Sequence, residues 1–272
     1  MMHRENLIFD VGAHRGQDAE YYLKKGYRVV AVEAEPVHVA FMQTRFPEAV
    51  ADGRLTIVGR AIAAHHGEVT FYRNKTVSVY GTVEPEWAKR NIEVGTQVEE
   101  ITVDSITAQE LFSQYGIPFY LKVDIEGSDL LVLEALKGFL ARPPYLSIES
   151  DSPCLDNILR QFSTMKDLGY EEFKIVPQHL IQDQRSPMVS AHGNSCIHKF
   201  EPGSSGLFGE DIEGPWLSAS EAIANYKGIV ILEQVVLALR KGILSGSCEE
   251  FMRAFGHRQG WHDTHTRHSS AR

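Results

Sequence analysis

The sequence predicts an α/β fold of the doubly wound kind, built on a mostly parallel sheet, and three observations carry that expectation. Apolar, β-branched runs at Leu7–Val11, Tyr27–Val32 and Leu55–Val58 alternate with helical periodicity, the pattern of strands covered by helices on both faces. The first run enters a glycine turn, LIFDVGAHRG, from Leu7 to Gly16. Strand-like runs then end in charge, at Asp10, Glu33, Lys122-Asp124-Glu126 and Glu149, at the edge where open α/β sheets place their ligand crevice.

After Gly16 a helix is expected, with Asp18 and Glu20 leading, Lys24 and Lys25 trailing, Ala19, Tyr22 and Leu23 on one face, and Gly26 as its stop. The second strand ends at Glu33, an acid placed to accept ribose hydroxyls. Pro36 starts a helix with Val37, Ala40 and Phe41 on one face, and the third strand ends at Gly59-Arg60-Ala61, where backbone can meet an adenine edge. The turn is not a Walker loop, because Gly16 is followed by Gln17-Asp18 rather than Lys-Ser/Thr. His14 stands where a dinucleotide fingerprint wants its middle glycine. Asp10 suits a ligand carrying ammonium and sulfonium, which points to S-adenosylmethionine; the same turn also fits an ordinary α/β protein. The candidate cofactor contacts are Asp10, Gly12, Ala13, His14, Gly16, Glu33, Ala34, Arg60 and Ala61.

Alternating stretches at Gly67–Tyr72, Thr76–Tyr80 and Val98–Val103 predict a β-rich insertion over about residues 67–100, with a surface loop or flap at 84–95 and a helix capped by Asp104. Phe119–Ile125 reads as a strand whose two-residue period puts Lys122, Asp124 and Glu126 on one side. Such charges in a central strand need pairing, ligands or an open crevice, so these three are the candidate catalytic residues. Ser128 and Asp129 are expected to cap the next helix. Pro144–Glu149 is a further strand whose Glu149, with Asp151, can reach an acceptor; Phe173–Val176 and Ser195–His198 are expected as a final antiparallel pair. Residues 201–216, EPGSSGLFGEDIEGPW, hold three large apolar side chains in an irregular frame and are expected as an ordered lid, before a helix centred on Val235 and Leu239. Residues 1–200 then form the cofactor-binding domain and 201–272 its lid and helical extension. The His257, His262, His265 and His268 tail is expected in solvent without a metal, with His265 a candidate acceptor contact.

A formal charge of −9 and the absence of a basic run argue against nucleic acid. Three scattered cysteines, Cys154, Cys196 and Cys248, fit reduced thiols and a cytoplasmic address. The most apolar late stretch, Gly228–Leu239, is broken by Glu233 and Gln234, so no membrane span is expected. The partner is a small molecule; oligomeric state is not legible.

DVGAHRG, AVEAEP and above all YLKVDIEGSDLLVLEAL resemble the FkbM-type methyltransferases, over about Leu7 to Glu149. FK with Gln178, SSGLFGEDIEGPW and GWHDTH resemble a subgroup of that family. His14-Arg15 departs from the family's usual asparagine and apolar residue, and Ala34-Glu35 intervenes before Pro36. The resemblance implies a seven-stranded class I methyltransferase (Rossmann-like) sheet, S-adenosylmethionine as methyl donor, and a hydroxyl acceptor on a sugar or secondary metabolite. Asp124 or Glu126 then serves as base, with Lys122 orienting the carboxylates; no metal is assigned, although a divalent ion on Asp124 and Glu126 fits hard-cation chemistry. A nicotinamide-dependent oxidoreductase and a non-catalytic nucleoside-binding protein share the crevice and stay open at this point.

Overall fold

The computed structural model describes residues 3–150, 155–241, 247 and 261–271; Asp151, Cys154, Cys248 and His257 lie outside them. β1 (Arg4–Val11) is exposed at its start and buried from Leu7 onward, because its apolar residues face helices on both sides of the sheet. It leads through the turn to α1 (Gln17–Lys24), β2 (Arg28–Val32), α2 (Pro36–Arg45), α3 (Pro47–Ala51) and β3 (Leu55–Val58). The insertion consists of β4 (Ala61–Ile62), β5 (Gly67–Asn74), α4 (Pro85–Glu93) and β6 (Val98–Ile106), with the small sheet ordered β4-β6-β5. The chain then runs through α5 (Ala108–Tyr115), β7 (Pro118–Val123), α6 (Asp129–Leu136), β8 (Tyr145–Ser150), α7 (Leu155–Asp167) and β9 (Tyr170–Pro177). β10 (Leu217–Ser218), α8 (Ala219–Arg240) and β11 (His262–His268) complete it.

The main sheet is ordered β10-β9-β11-β8-β7-β1-β2-β3. Pairing is parallel from β8 to β3, and β11 lies antiparallel to both β8 and β9. The strand order reverses at β1, which has β2 on one side and β7 on the other, so a crevice opens where their carboxyl ends diverge. One face packs Phe9, Phe112, Leu133, Phe162 and Tyr226 under the later helices. The opposite face packs Ile8, Tyr22, Tyr120 and Phe208.

Several expectations are corrected. The sheet has eight strands rather than seven, the added one being the two-residue β10 at its edge. Ser195–His198 is not a strand, and Ile197 is 99% exposed. The antiparallel partner of β9 is instead β11, so the histidine tail expected in solvent is an interior strand, buried from His262 to Thr266. Several of its polar residues find partners there: Thr264 Oγ1 meets Ser150 Oγ at 2.7 Å and Tyr226 Oη at 2.8 Å, and Arg267 forms paired bonds with Glu172. β10 and β11 therefore carry the expected C-terminal extension into the central sheet.

Thr76–Tyr80 is a crossing segment with a short 3₁₀ turn at Ser78–Tyr80, not a strand, and 84–95 contains α4, which Pro85 starts. Asp104 stays within β6; Thr107 caps α5 in a reciprocal box with Glu110. α2 buries His38 and Met42 and leaves Val37 and Phe41 exposed, the reverse of the expected face. α8 extends well beyond its expected centre, and its most apolar 18-residue stretch, of mean hydropathy 1.5, makes the helix long and apolar enough to cross a membrane by length and composition alone. Here its Ala222, Tyr226 and Val230 pack in the core, and Glu233 is buried.

Candidate active site

The crevice at the strand reversal is a cavity of about 440 Å³. Its lining includes Gly12, His14, Glu33, Ala34, Arg60, Ala61, Asp124, Glu126 and Glu149, which the sequence had placed at one edge. Asp10, Ala13, Gly16, Lys122 and His265 do not line it and are buried or turn-forming residues behind it.

One end of the cavity is built around Glu33 and the glycine turn. Glu33 accepts the His14 N–H on Oε2 at 2.7 Å and the Glu35 N–H on Oε1 at 2.8 Å, so its carboxylate is fixed with lone pairs to spare for two ribose hydroxyls. Among the described residues His14 is one of two non-glycine residues with positive φ, at 49°, a conformation that persists where surroundings over-determine it. Its Nε2 meets Ser78 Oγ at 2.9 Å, and its ring packs edge-on against His38. Burial, then the neighbouring His38, pushes the His14 imidazole down to about 3, so it is neutral at pH 7. Glu35 and Arg73, which sequence reasoning missed, close this wall through paired hydrogen bonds of 2.7 and 2.6 Å. The adjacency of Glu35 to Glu33 was visible; the partnership with Arg73 was not.

Ala13 and Gly12 spend their N–H groups on the Val32 carbonyl, both at 3.0 Å, which docks the turn onto β2 rather than onto a ligand. Asp10 is likewise a floor residue: it is fully buried, and burial raises its carboxyl to about 7 despite Lys122. Lys122, only 3% exposed, is a buried hub rather than an acceptor contact. Its Nζ donates to the Gly12 carbonyl at 3.0 Å and stands 3.2 Å from Asp10, 3.6 Å from Asp18 and 3.6 Å from Asp124. Burial opposes its charge, yet Asp10, Asp124 and Asp18 raise its pKa well above the ordinary lysine value. Asp18, absent from the candidate set, accepts the Ser205 N–H on both oxygens at 2.9 Å.

The other end is acidic. Asp124, Glu126 and Glu149 bring carboxylate oxygens within 4.8 Å of one another. Asp129 accepts N–H groups of Ile125 and Gly127 at 3.1 Å, which tightens the turn that carries them. Glu126 is the second positive-φ residue, at 52°; Thr82 holds its carbonyl at 2.7 Å and Arg90 stands 3.8 Å from its carboxylate. Burial and then the Glu126 and Asp124 charges raise the Glu149 carboxyl well above its ordinary value. Tyr80 and Trp261, with ring centroids 5.6 Å apart, and Gln178 form the remaining wall.

Two expected features lie elsewhere. His265 is 1% exposed inside β11, and burial pushes its imidazole down to about 3; it has no access to an acceptor. From the segment expected as a lid, only Gly203 reaches the cavity. Leu207 and Phe208 instead fill the core against Tyr22 and Tyr120, and Asp211 pairs with Lys25 at 2.6 Å with both side chains 1% exposed.

A reversed-order parallel sheet with a glycine turn, a fixed acid at the end of β2 and an acidic cluster across the crevice is the arrangement of an α/β protein that binds its ligand at the strand reversal. Residues 10–172, more than half of the chain, match the model of the methyltransferase FkbM domain, and the chain belongs to that family. Family and crevice agree on S-adenosylmethionine as cofactor: the Glu33 carboxylate at the end of β2 is already fixed on the cavity wall by two backbone N–H groups. No curated protein matches the chain in sequence. Among solved structures it is similar to precorrin-6y C5,15-methyltransferase from Geobacter metallireducens, at 14% identity and a TM-score of 0.37, covering 65% of this chain and 69% of that one. It is also similar to Aeropyrum pernix fibrillarin with natively bound S-adenosyl-L-methionine, at 12% identity, a TM-score of 0.38 and coverage of 64% and 61%. A S-adenosylmethionine-dependent methyltransferase from Geobacter sulfurreducens with S-adenosyl-L-homocysteine gives 9% identity, a TM-score of 0.36 and coverage of 97% and 84%.

Proposed function

We propose that this methyltransferase acts on oxygen: it methylates a hydroxyl of a small acceptor, a sugar or secondary metabolite, with Asp124 as the base. The observation that carries this reading is the place of Asp124, at the junction of the nucleoside end and the acidic end, anchored 3.6 Å from a lysine that also holds the Gly12 carbonyl. When bound, S-adenosylmethionine supplies an electrophilic methyl on a positively charged sulfur.

The chain's own contribution is alignment and proton removal. Glu33, Ala34 and Ala61 hold the nucleoside, and Lys122 ties the glycine turn and Asp124 into one frame. Well-oriented reactants gain roughly 7–11 kcal/mol over reactants meeting in solution. A hydroxyl must also lose its proton, and a positioned base contributes about 10²–10⁴-fold. Because the positive charge on sulfur fades during transfer, a carboxylate against sulfur would favour the ground state; Asp124 works best facing the acceptor oxygen. A net charge of −9 supports a small-molecule acceptor rather than a nucleic acid, and the three scattered cysteines fit a cytoplasmic address.

The test is transfer from methyl-labelled S-adenosylmethionine to a panel of sugars, phenols and amines, with NMR locating the new methyl. A methyl on oxygen supports the reading. A methyl found only on nitrogen or carbon removes it.

A further inference from the structure

The acidic end gathers more negative charge than its cations balance. Lys122 is shared among Asp10, Asp18 and Asp124, and Arg90 stands 3.8 Å from Glu126. Among the described residues the Glu149 carboxylate has no hydrogen bond or ion pair, although it shares with Asp124 and Glu126 a space in which their oxygens lie within 4.8 Å.

A separate observation comes from β11. Asp263 stands directly opposite Glu149 in the β8–β11 ladder and is 3% exposed. Opposed side chains share a sheet face with Cβ atoms about 4.5–5.5 Å apart, so Asp263 points to the same end of the cavity. Its Oδ1 accepts the Gln178 amide at 2.7 Å, while its Oδ2 is buried with no hydrogen-bonding partner among the described residues. A carboxylate oxygen is left bare in the interior only at considerable cost unless a cation or proton reaches it.

We propose that Asp124, Glu126 and Glu149 bind one divalent, oxygen-seeking cation such as Mg²⁺ or Mn²⁺, with Asp263 as the carboxylate behind them. An octahedral ion with oxygens at about 2.1 Å sets its ligands roughly 3–4.2 Å apart, so the trio closes on it through shifts below about 1 Å. The remaining positions take water or the acceptor. The chemical consequence rests on the proposed O-methylation: the ion takes a lone pair of the acceptor hydroxyl and lowers its pKa. Asp124 ligates through one oxygen and receives the hydroxyl proton on the other. The ion keeps its charge throughout.

The test is Mn²⁺ titration of the protein followed by electron paramagnetic resonance, with Mg²⁺ as competitor and S-adenosylhomocysteine binding measured by calorimetry on the same samples. The expected result is one Mn²⁺ site, displaced by Mg²⁺ and weakened about tenfold or more in both Glu149→Gln and Asp124→Asn. S-adenosylhomocysteine affinity should stay unchanged in Glu149→Gln, which also shows that the variant is folded. No Mn²⁺ bound at about 1 mM, weaker than the usual range for built sites, or equal binding by wild type and both variants, overturns the cation site. Wild-type protein that holds the Mn²⁺ site but binds no S-adenosylhomocysteine would instead overturn the methyltransfer reading and leave the site standing.

Discussion

A Cβ added to Gly12 would lie 1.8 Å from the carbonyl oxygen of Asp124. The cofactor turn and the candidate base are thus in backbone contact, and the Asp124 N–H donates to the Val11 carbonyl at 2.9 Å to hold them there. Gly12 also sits at φ 84°, where a side chain is strained in any case.

Gly12→Ala should therefore push the end of β7 away from β1. Strain and overpacking together cost about 2–5 kcal/mol, so the melting temperature should drop and S-adenosylhomocysteine affinity fall with it. Thermal denaturation and calorimetry check both; a variant with wild-type stability and affinity would mean that the turn and β7 are not in contact.

Lys122 and Asp124 should respond differently to substitution. Lys122→Met leaves Asp10 and Asp18 buried without their cation, and breaking such a pair costs about 3–5 kcal/mol. Asp124→Asn leaves Lys122 with two acids, so the fold should survive while turnover falls about 10²–10⁴-fold. Melting curves and single-turnover assays on both variants separate these outcomes. A stable Asp124→Asn enzyme at the wild-type rate would transfer the role of base to Glu126.

His265 makes a prediction about acid. Its folded-state imidazole is pushed down to about 3 from an ordinary 6.5, so below pH 6.5 the unfolded chain takes a proton that the folded chain refuses. The neutral buried ring thus costs stability as pH falls from about 6.5 toward 3, by about 1.4 kcal/mol per pH unit. His265→Gln cannot take that proton. The melting temperature of wild type relative to this variant should therefore decline between pH 7 and 5, and a constant difference across that range would place His265 outside the interior.

What could be read in advance follows from how each element satisfies itself. β1, β2 and β7 were legible because Phe9, Val30 and Leu121 are apolar on covered strands. The glycine turn and the acids Glu33, Asp124, Glu126 and Glu149 were legible because the fold brings strand ends to one edge. β11 was not, since HDTHTRH has no apolar residue and owes its burial to Ser150, Gln178 and Glu172, which are distant in sequence. Ser195–His198 misled for the opposite reason: Ile197, its most apolar side chain, has no covering layer. The outward side of α1 was hidden too, because Tyr21 packs against Phe200, His198 and Phe208, which are distant in sequence.

The central claim is that Glu33 holds the ribose of S-adenosylmethionine in the crevice at the strand reversal. Calorimetric titration of S-adenosylhomocysteine into wild type and Glu33→Ala tests it directly. Hydrogen bonds to an ionised carboxylate contribute about 1.5–3 kcal/mol, so Glu33→Ala should weaken binding roughly 10- to 150-fold with the fold retained. Wild-type protein that binds neither S-adenosylmethionine nor S-adenosylhomocysteine, or a folded Glu33→Ala variant that binds as tightly as wild type, would contradict the account.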